Sequence, residues 1–313
     1  MPLSKKTHLA LGLDQPPPAE VNGRSNLDIL KSLDHIGDAP YHPCPEAHPA
    51  GDLAEGIVSK YADWDLSRIF PDTRRDLFVY TPAEFDDSRP ARLIVFNDGF
   101  GYLSRNGAIR ATRVLDSLHA SGEIEQTVGV FVNPGIPAGV QPEPGERNAE
   151  AMAQRSFEYD SLTPDYGNFL LEEVLPFVEQ THGLTFTSDP QDRTVCGISS
   201  GGICAFTTAW MHPQRFQRVL SHCGSFTAIR GGHNYPYLIR TTERKPIRVF
   251  LQSGENDAET LAGDWPLANR TMANALQHAG YDHQFVFGTG GHSLRHGGAI
   301  FADSLRWLWR ALP

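Results

Sequence analysis

The sequence lacks the features that would place the protein in a membrane, on a nucleic acid or in a disulfide-linked scaffold. No apolar run in the 313 residues approaches the ~20 residues that a membrane-spanning helix needs. The formal net charge of −10 disfavours nucleic acids and anionic membranes as partners, because both bind basic surfaces. There are only four cysteines, and their spacing indicates no disulfide framework. What remains is a globular chain of ordinary composition, 40% hydrophobic and 20% charged.

The N-terminus also lacks a recognisable leader. Lys5 and Lys6 precede an apolar patch at 8–13, which falls short of the ~7–15 apolar residues of a secretory signal. Three prolines at 16–18 then interrupt the pattern. We therefore expect a cytoplasmic protein.

Residues 1–55 are rich in proline and glycine, and we expect them to form an N-terminal arm rather than a domain. One helix is predicted over 25–36, with Ser25 as its N-cap and Gly37 after its end. Its apolar stripe consists of Leu27, Leu30, Leu33 and Ile36. An arm of this kind packs on its own domain or on a second subunit, so a homodimer is one of the expectations.

A metal site in this arm is disfavoured. His42, Cys44 and His48 are residue types that bind zinc. The prolines around them hinder a closed tetrahedral site, and the sequence offers no second cluster of ligands. We predict no bound metal.

From residue 56 onward, apolar strands alternate with helical patterns. Strands are predicted at 76–80, 92–96, 127–132, 194–196, 218–222, 247–252 and 283–287. Helices are predicted at 107–121, at 165–182, directly after the strand at 194–196, and at 298–311. This alternation is typical of a mostly parallel sheet covered by helices on both faces. No repeat or linker divides the region, so we predict one α/β domain over 56–313.

The segment 194–202 carries the motif G-x-S-x-G between an apolar strand and a helical pattern. In this context Ser199 is predicted to lie on a tight strand-to-helix turn, where Gly197 and Gly201 let neighbouring backbone pass close by. The start of the helix offers free amides and the positive end of a dipole, which suit a developing oxyanion. The motif alone also fits an ordinary turn, but its flanking strand and helix favour a nucleophile.

A nucleophilic serine needs a base and a carboxylate that orients the base. In the chain order Ser, acid, His, Asp257 follows the strand at 248–252 and is our first choice for the acid. Glu255 and Asp264 are the second and third candidates for the acid. Any of these acids could instead only cap the helix that follows, a role that Asp often has. His292 follows the last strand on a glycine-rich turn and is the predicted base. His296 lies nearer the final helix and is the second choice.

Two further features belong to the same edge of the sheet. The oxyanion hole should combine the amide of Ser200 with one from the loop after an early strand, where Phe100 is the first candidate and Gly101 the alternative. The Pro- and Gly-rich insertion between Asn133 and residue 165 should form a wall or lid over the site. An ordinary surface loop is the alternative for this insertion.

These motifs resemble the esterase branch of the α/β-hydrolases, which includes esterase D and the enterochelin esterases. The resemblance covers about 56–311 and rests on Val79–Pro82, Asn97–Gly99, Arg155, Glu158–Tyr159, Glu172–Pro176, Gly197–Gly202, Ser221–Phe226 and Gly290–His292. It implies an α/β-hydrolase fold, a triad of Ser199, Asp257 and His292, and no cofactor. Enterochelin esterases carry a β-sandwich domain before the catalytic one, and the arm is too short to form it. A bulky siderophore substrate is therefore disfavoured.

We predict a serine carboxylic-ester hydrolase that acts through an acyl-enzyme on a small to medium ester, such as an aryl, sugar or siderophore ester. An acyltransferase with the same triad and a non-catalytic binding module on the same fold are the alternatives. The residues expected to contact substrate are Asp98, Gly101, Tyr102, Arg155, Glu158, Phe226 and Trp265. The aromatic members of this set could equally be core residues.

Overall fold

The computed structural model describes residues 20–33, 36–48, 51, 53–142 and 148–311. Its main sheet has eight long strands. Strands β1 to β8 span Ile57–Trp64, Thr73–Thr81, Arg92–Asn97, Thr127–Val132, Arg193–Ile198, Arg218–His222, Arg248–Asn256 and His283–Gly291. Their spatial order is β1-β2-β4-β3-β5-β6-β7-β8. β2 runs antiparallel to β1 and β4, and all the other neighbours are parallel. The predicted mostly parallel sheet is confirmed.

Helices flank this sheet. Helices α1 to α11 span Asn26–Lys31, Gly99–Leu103, Ala111–Ala120, Ala149–Asp160, Asp165–Phe169, Leu175–His182, Ser200–Met211, Tyr235–Thr241, Trp265–His278, Arg295–Ala299 and Phe301–Trp309. A π-helical turn joins α5 to α6, so the helix predicted over 165–182 is nearly continuous. The predicted final helix is instead divided at Ile300 into α10 and α11. Across the described residues, no helix combines the length and apolarity needed to cross a bilayer.

The core lies on both faces of the sheet. Successive residues of a strand point to opposite faces, and in β3 Leu93 and Val95 join one buried cluster while Ile94 and Phe96 join the other. On the second face Phe96 stacks on Phe131 of β4, with ring centroids 4.5 Å apart. Burial on both faces explains why the strands appear in the sequence as continuous apolar runs.

The insertion before residue 165 contains a helix, α4, where a loop was predicted. The side chain of Asn148 caps it by accepting two backbone N–H groups. Glu158 of α4 pairs with Arg75 of β2 through hydrogen bonds of 2.7 and 3.0 Å, and both side chains are fully buried. The expectation that Glu158 contacts substrate is therefore wrong, because its carboxylate is enclosed with Arg75. The ion pair attaches α4 to the sheet.

The described part of the arm packs on the domain. Helix α1 begins after its predicted cap, Ser25, whose hydroxyl accepts a backbone N–H, but it ends at Lys31, short of the predicted residue 36. Leu30 and Leu33 pack against a small buried cluster of Ala258, Ala262 and Trp265. The side chains of Leu27 and Ile36 lie outside the described residues.

Replacing Glu158 with alanine should destabilise the protein by about 3–5 kcal/mol, because it leaves the Arg75 guanidinium buried without its counter-charge. Urea unfolding followed by circular dichroism would measure the loss. Glu172→Ala removes an exposed carboxylate and is the matched control, expected within about 0.5 kcal/mol of the parent. Similar effects of the two substitutions would contradict this account of the ion pair.

Asp160, the last residue of α4, should make stability depend on pH. Burial raises the pKa of its carboxyl group to about 6, and this effect outweighs the opposing influence of the nearby Arg155 guanidinium and the Ser156 and Ser200 hydroxyls. The folded protein therefore binds this proton more tightly than the unfolded chain does. Its contribution is complete below the unfolded pKa of about 4 and is lost as the pH rises through 6.

Asp160→Asn cannot lose this proton, so its free energy of unfolding relative to the parent should rise by roughly 2 kcal/mol between pH 4 and pH 7. Urea unfolding at unit pH steps would follow the change. Asp65→Asn, at an exposed aspartate, serves as the control. A difference between Asp160→Asn and the parent that stays constant with pH would contradict the prediction.

Candidate active site

Ser199 lies on a strained turn between β5 and α7. Its backbone angles are φ 58° and ψ −123°, a conformation that L-residues rarely adopt. A Cβ on Gly197 would lie 2.2 Å from the carbonyl oxygen of Gly201, and a Cβ on Gly201 would lie 2.9 Å from Oδ2 of Asp98. Backbone therefore leaves no room for a side chain at Gly197, and a side chain at Gly201 would displace the Asp98 carboxylate.

The structure brings Ser199, His292 and Asp257 together at the carboxyl ends of β5, β7 and β8. His292 Nε2 lies 2.9 Å from Ser199 Oγ, and His292 Nδ1 lies 2.5 Å from Asp257 Oδ1. The Asp257 side chain is fully buried. It also accepts hydrogen bonds from Ser253 Oγ at 2.6 Å and from the Ala258 amide at 2.8 Å. An ionised carboxylate can only accept, so the imidazole carries its proton on Nδ1 and leaves Nε2 free to take one.

The alternative acids and base occupy other places. Glu255 is exposed near the end of β7. Asp264 accepts the Leu267 amide at 2.8 Å and caps α9, which is the ordinary role that the sequence left open. His296 is buried, pairs with Gln252 through Nδ1 at 3.1 Å, and has its pKa lowered by that burial. The geometry favours Asp257 and His292 over these three residues.

A second hydroxyl, which the sequence analysis did not single out, adjoins the nucleophile. Ser225 Oγ lies 3.2 Å from Ser199 Oγ and accepts a hydrogen bond from Trp265 Nε1 at 3.3 Å. Ser225 is fully buried and Trp265 nearly so, and the indole edge meets the His292 ring at a centroid distance of 5.6 Å. Trp265 therefore contacts Ser225 and the His292 ring, and its near-complete burial contradicts the expectation that it contacts substrate.

The oxyanion loop differs from the prediction. The Phe100 amide donates to Asn133 Oδ1 at 3.0 Å, and the Gly101 amide donates to the Asp98 carbonyl oxygen at 2.9 Å. Neither predicted donor from this loop is free. By contrast, the amides of Ser200 and Gly99 have no hydrogen-bond acceptor among the described residues.

An ion pair stands beside the turn. Arg155 of α4 donates two hydrogen bonds to the Asp98 carboxylate, at 2.8 and 2.7 Å, and each side chain is about a quarter exposed. The guanidinium lies 5.3 Å from the centroid of the Tyr159 ring, and the Tyr159 hydroxyl accepts the Asp98 amide at 3.1 Å. Asp98 reaches Gly201, so this predicted pair borders the start of α7. Thus the insertion presents a helix, α4, rather than an irregular loop at this position, and its role as a wall of the site stays a prediction.

Two of the other residues expected to contact substrate belong to the core. Tyr102 is fully buried and its hydroxyl lies 2.9 Å from His222 Nδ1. Phe226 is 2% exposed and packs edge-on against Phe206. These two expectations are wrong, because neither ring reaches the surface. Gly101 is partly buried, with Leu294 3.4 Å from where its Cβ would stand.

In the described part of the chain, the one group of three residues with metal-ligand atoms close together is Cys223, Asp257 and His292, whose atoms lie within 4.8 Å of one another. The carboxylate and imidazole already bind each other. The Cys223 thiol is buried, which raises its pKa well above the ordinary value. This group has the make-up of a hydrogen-bonded acid and base beside a neutral thiol, rather than that of a prepared metal site.

Comparison with known proteins identifies the family to which the chain belongs. A family model described as Putative esterase matches residues 69–308. The iron(III) enterobactin esterase of Dickeya dadantii (strain 3937) is 24% identical over 270 residues, in a match covering 79% of this chain and 54% of that protein. The chain therefore spans about half the length of that curated relative.

Two solved structures have similar folds. The enterobactin esterase of Shigella flexneri, solved in the presence of 2,3-dihydroxy-N-benzoyl-glycine, matches with a TM-score of 0.61 and 21% identity over 84% of this chain and 61% of that one. A ferulic acid esterase of Anaeromyces mucronatus matches with a TM-score of 0.63 and 15% identity over 88% of this chain and 97% of that one. With an α/β-hydrolase-type sheet and a family match that includes Ser199, Asp257 and His292, the chain belongs to the Putative esterase family.

Proposed function

We propose that the protein hydrolyses carboxylic esters through an acyl-enzyme formed on Ser199. The observation that carries the proposal is the continuous hydrogen-bonded chain from the buried Asp257 through His292 to Ser199. A hydroxyl is a weak nucleophile at neutral pH, and this chain supplies both the base and the group that orients it. The strained turn holds the hydroxyl at the carboxyl edge of the sheet, where ligands bind in α/β proteins.

The donor and acceptor roles in the Asp257–His292–Ser199 hydrogen bonds determine how protons move during the reaction. As Ser199 Oγ attacks the ester carbonyl carbon, its proton passes to His292 Nε2, and Asp257 stabilises the resulting imidazolium. The tetrahedral intermediate then collapses, and His292 returns the proton to the departing alkoxide, which leaves as an alcohol. A water molecule attacks the acyl-enzyme with His292 again acting as base. The acid is released and Ser199 regains its proton.

The negative oxygen of the intermediate needs two donors. We take the Ser200 amide, at the first residue of α7, as one of them, because no described residue accepts its proton and it lies at the positive end of the helix dipole. We assign the second to the Gly99 amide, since the Phe100 amide binds Asn133. This assignment replaces Phe100 with its neighbour in the same loop.

Ser225 should donate a hydrogen bond to the nucleophile. The proton of Ser199 points to His292, so the 3.2 Å contact between the two hydroxyls must use the proton of Ser225. Trp265 Nε1 can only donate, and it supplies the bond that Ser225 accepts. The order Trp265 to Ser225 to Ser199 thus places a donor on Ser199 Oγ, which is the leaving-group oxygen when the acyl-enzyme is hydrolysed. A hydrogen bond to the negative charge that develops on Oγ in that step is stronger than one to a neutral hydroxyl.

An ester with an aromatic acyl group is the substrate class we favour. Phe100 follows Gly99 in the loop beside the turn and is 64% exposed, so we expect its ring to be available for contact with such a group. The partly exposed Asp98–Arg155 pair adds polar groups that suit phenolic hydroxyls. Similar proteins are described as enterobactin and ferulic acid esterases, names that also point to aryl-containing substrates.

The function is tested with a panel of acetyl, butyryl, feruloyl and 2,3-dihydroxybenzoyl esters, with released acid measured by chromatography. We expect turnover that is highest for the aryl esters, together with a fluorophosphonate adduct on Ser199. His292→Ala should lower kcat at least about 1000-fold, because no base remains.

His296→Ala is the matched control for that variant and should retain most of the activity, since His296 faces Gln252. Loss of activity in His296→Ala alone would reassign the base. A folded parent protein that forms no adduct at Ser199 would contradict the proposal and would favour a non-catalytic binding module. Preferential acyl transfer to added alcohols would identify an acyltransferase instead.

Ser225→Ala should lower kcat roughly 10- to 100-fold with little change in KM, because a hydrogen bond to developing charge is lost. Trp265→Phe keeps an aromatic ring but removes the indole N–H, so a smaller loss is expected. The double variant should be no slower than Ser225→Ala, because Trp265 acts on Ser199 through Ser225. Fully additive losses in this double-mutant cycle would contradict the relay.

A further inference from the structure

The N-terminal arm reaches the turn that carries the candidate base. Asp38, in a short 3₁₀ turn over Ile36–Asp38, is fully buried. Its Oδ1 accepts the Gly291 amide at 2.8 Å, and its Oδ2 accepts the Ser293 hydroxyl at 2.6 Å. These are the two neighbours of His292 in the chain. One carboxylate therefore binds the backbone amide before His292 and the side-chain hydroxyl after it.

Two donors in the turn, the Gly291 amide and the Ser293 hydroxyl, use this carboxylate as their hydrogen-bond acceptor. Gly291 is buried, so without Asp38 its amide would lose its hydrogen-bond partner in a place that excludes water. The Asp38 carboxylate can accept both bonds at once, because each of its oxygens faces a different residue. A buried acid with donors on either side of a catalytic residue fixes position more strongly than a single neutral contact does.

The residues around Asp38 continue the same contact. The Thr289 hydroxyl donates to the Gly37 carbonyl oxygen at 3.0 Å, and the Thr289 amide donates to the Tyr41 hydroxyl at 3.0 Å. The Tyr41 ring stacks on His296 at a centroid distance of 4.0 Å. The arm thus contacts the end of β8 at several positions.

Earlier in the arm, α1 contacts the loop that carries the candidate acid. Asn26 Oδ1 accepts the Leu261 amide at 2.9 Å. Leu30 packs in the cluster that contains Ala258, the residue whose amide binds Asp257. Within the described residues, one arm therefore supports both loops that serve the nucleophile, and it lies before the region that the family model matches, 69–308.

We infer that the arm is a structural part of the active site and that Asp38 is a positioning residue for His292, acting through Gly291 and Ser293. The inference rests on the proposed function for its kinetic meaning. Misplacing a catalytic group by about 1 Å can cost roughly 100-fold in rate. Loosening the His292 turn should therefore slow acyl transfer while leaving substrate binding nearly intact.

The experiment compares Asp38→Ala with the parent enzyme in steady-state kinetics on an aryl ester. We expect kcat to fall roughly 10- to 100-fold with KM changed less than about 2-fold. Asp38→Asn can still accept the Gly291 amide and should lose less. Glu46→Gln, in the same arm but paired with Arg306 at 2.6 Å, is the matched control and should behave like the parent.

A spectroscopic measurement separates positioning from general weakening of the fold. The His292 Nδ1 proton, in a 2.5 Å bond to Asp257, should give a far-downfield proton NMR resonance. Asp38→Ala should shift or broaden this resonance, and Glu46→Gln should leave it unchanged. If Asp38→Ala does not fold, Ser293→Ala removes one of the two bonds and should give a smaller effect of the same kind.

The outcomes distinguish the two proposals. A parent protein without esterase activity would refute the proposed function, while the resonance would still report whether Asp38 positions His292. A folded Asp38→Ala variant with parental kcat and an unchanged resonance would overturn the role of Asp38. Equal losses in Asp38→Ala and Glu46→Gln would also overturn it, because they would indicate only a general effect of the arm.

Discussion

The hydrogen bond between Asp257 and His292 determines which groups donate and which accept hydrogen bonds in the rest of the site. Because the buried carboxylate can only accept, the imidazole proton must lie on Nδ1, and Nε2 must face Ser199 as an acceptor. That choice directs the serine proton and, through it, the proton of Ser225. Once the Nδ1 proton is placed, the donor and the acceptor are fixed in the His292–Ser199 and Ser225–Ser199 hydrogen bonds. A site built in this way needs few residues, but each must keep its place.

Much of this arrangement could be predicted because it depends on local chemistry. The glycines around Ser199 allow the turn, and continuous apolar strands predict where the carboxyl edge of a parallel sheet lies. Position just after a strand then ranked Asp257 and His292 first, while Glu255, Asp264 and His296 remained alternatives. Helix α4 was missed because its stripe is weakly apolar, and its main anchor is the long-range pair between Arg75 and Glu158.

The remaining differences come from contacts between distant parts of the chain. The sequence does not show that Asn133 binds the Phe100 amide, or that Ser225 stands beside Ser199. Tyr102 and Phe226 looked like site residues because they adjoin site motifs. Yet side chains of successive residues in these segments face different ways, and both rings point into the core. Proximity in sequence identified the right loops, but it could not assign every side chain within them.

Asp38 precedes Gly291 by 253 positions, so the two can meet only after all the residues between them have been synthesised. During synthesis the arm leaves the ribosome well before the turn that it binds, because 253 positions separate the two contacting residues. The strands between them can pair beforehand, but the contact that closes the His292 turn carries a long loop and its entropy cost. The candidate catalytic turn is thus expected to reach its final order at the end of folding. A nascent chain that has already formed most of its sheet would still lack a completed site.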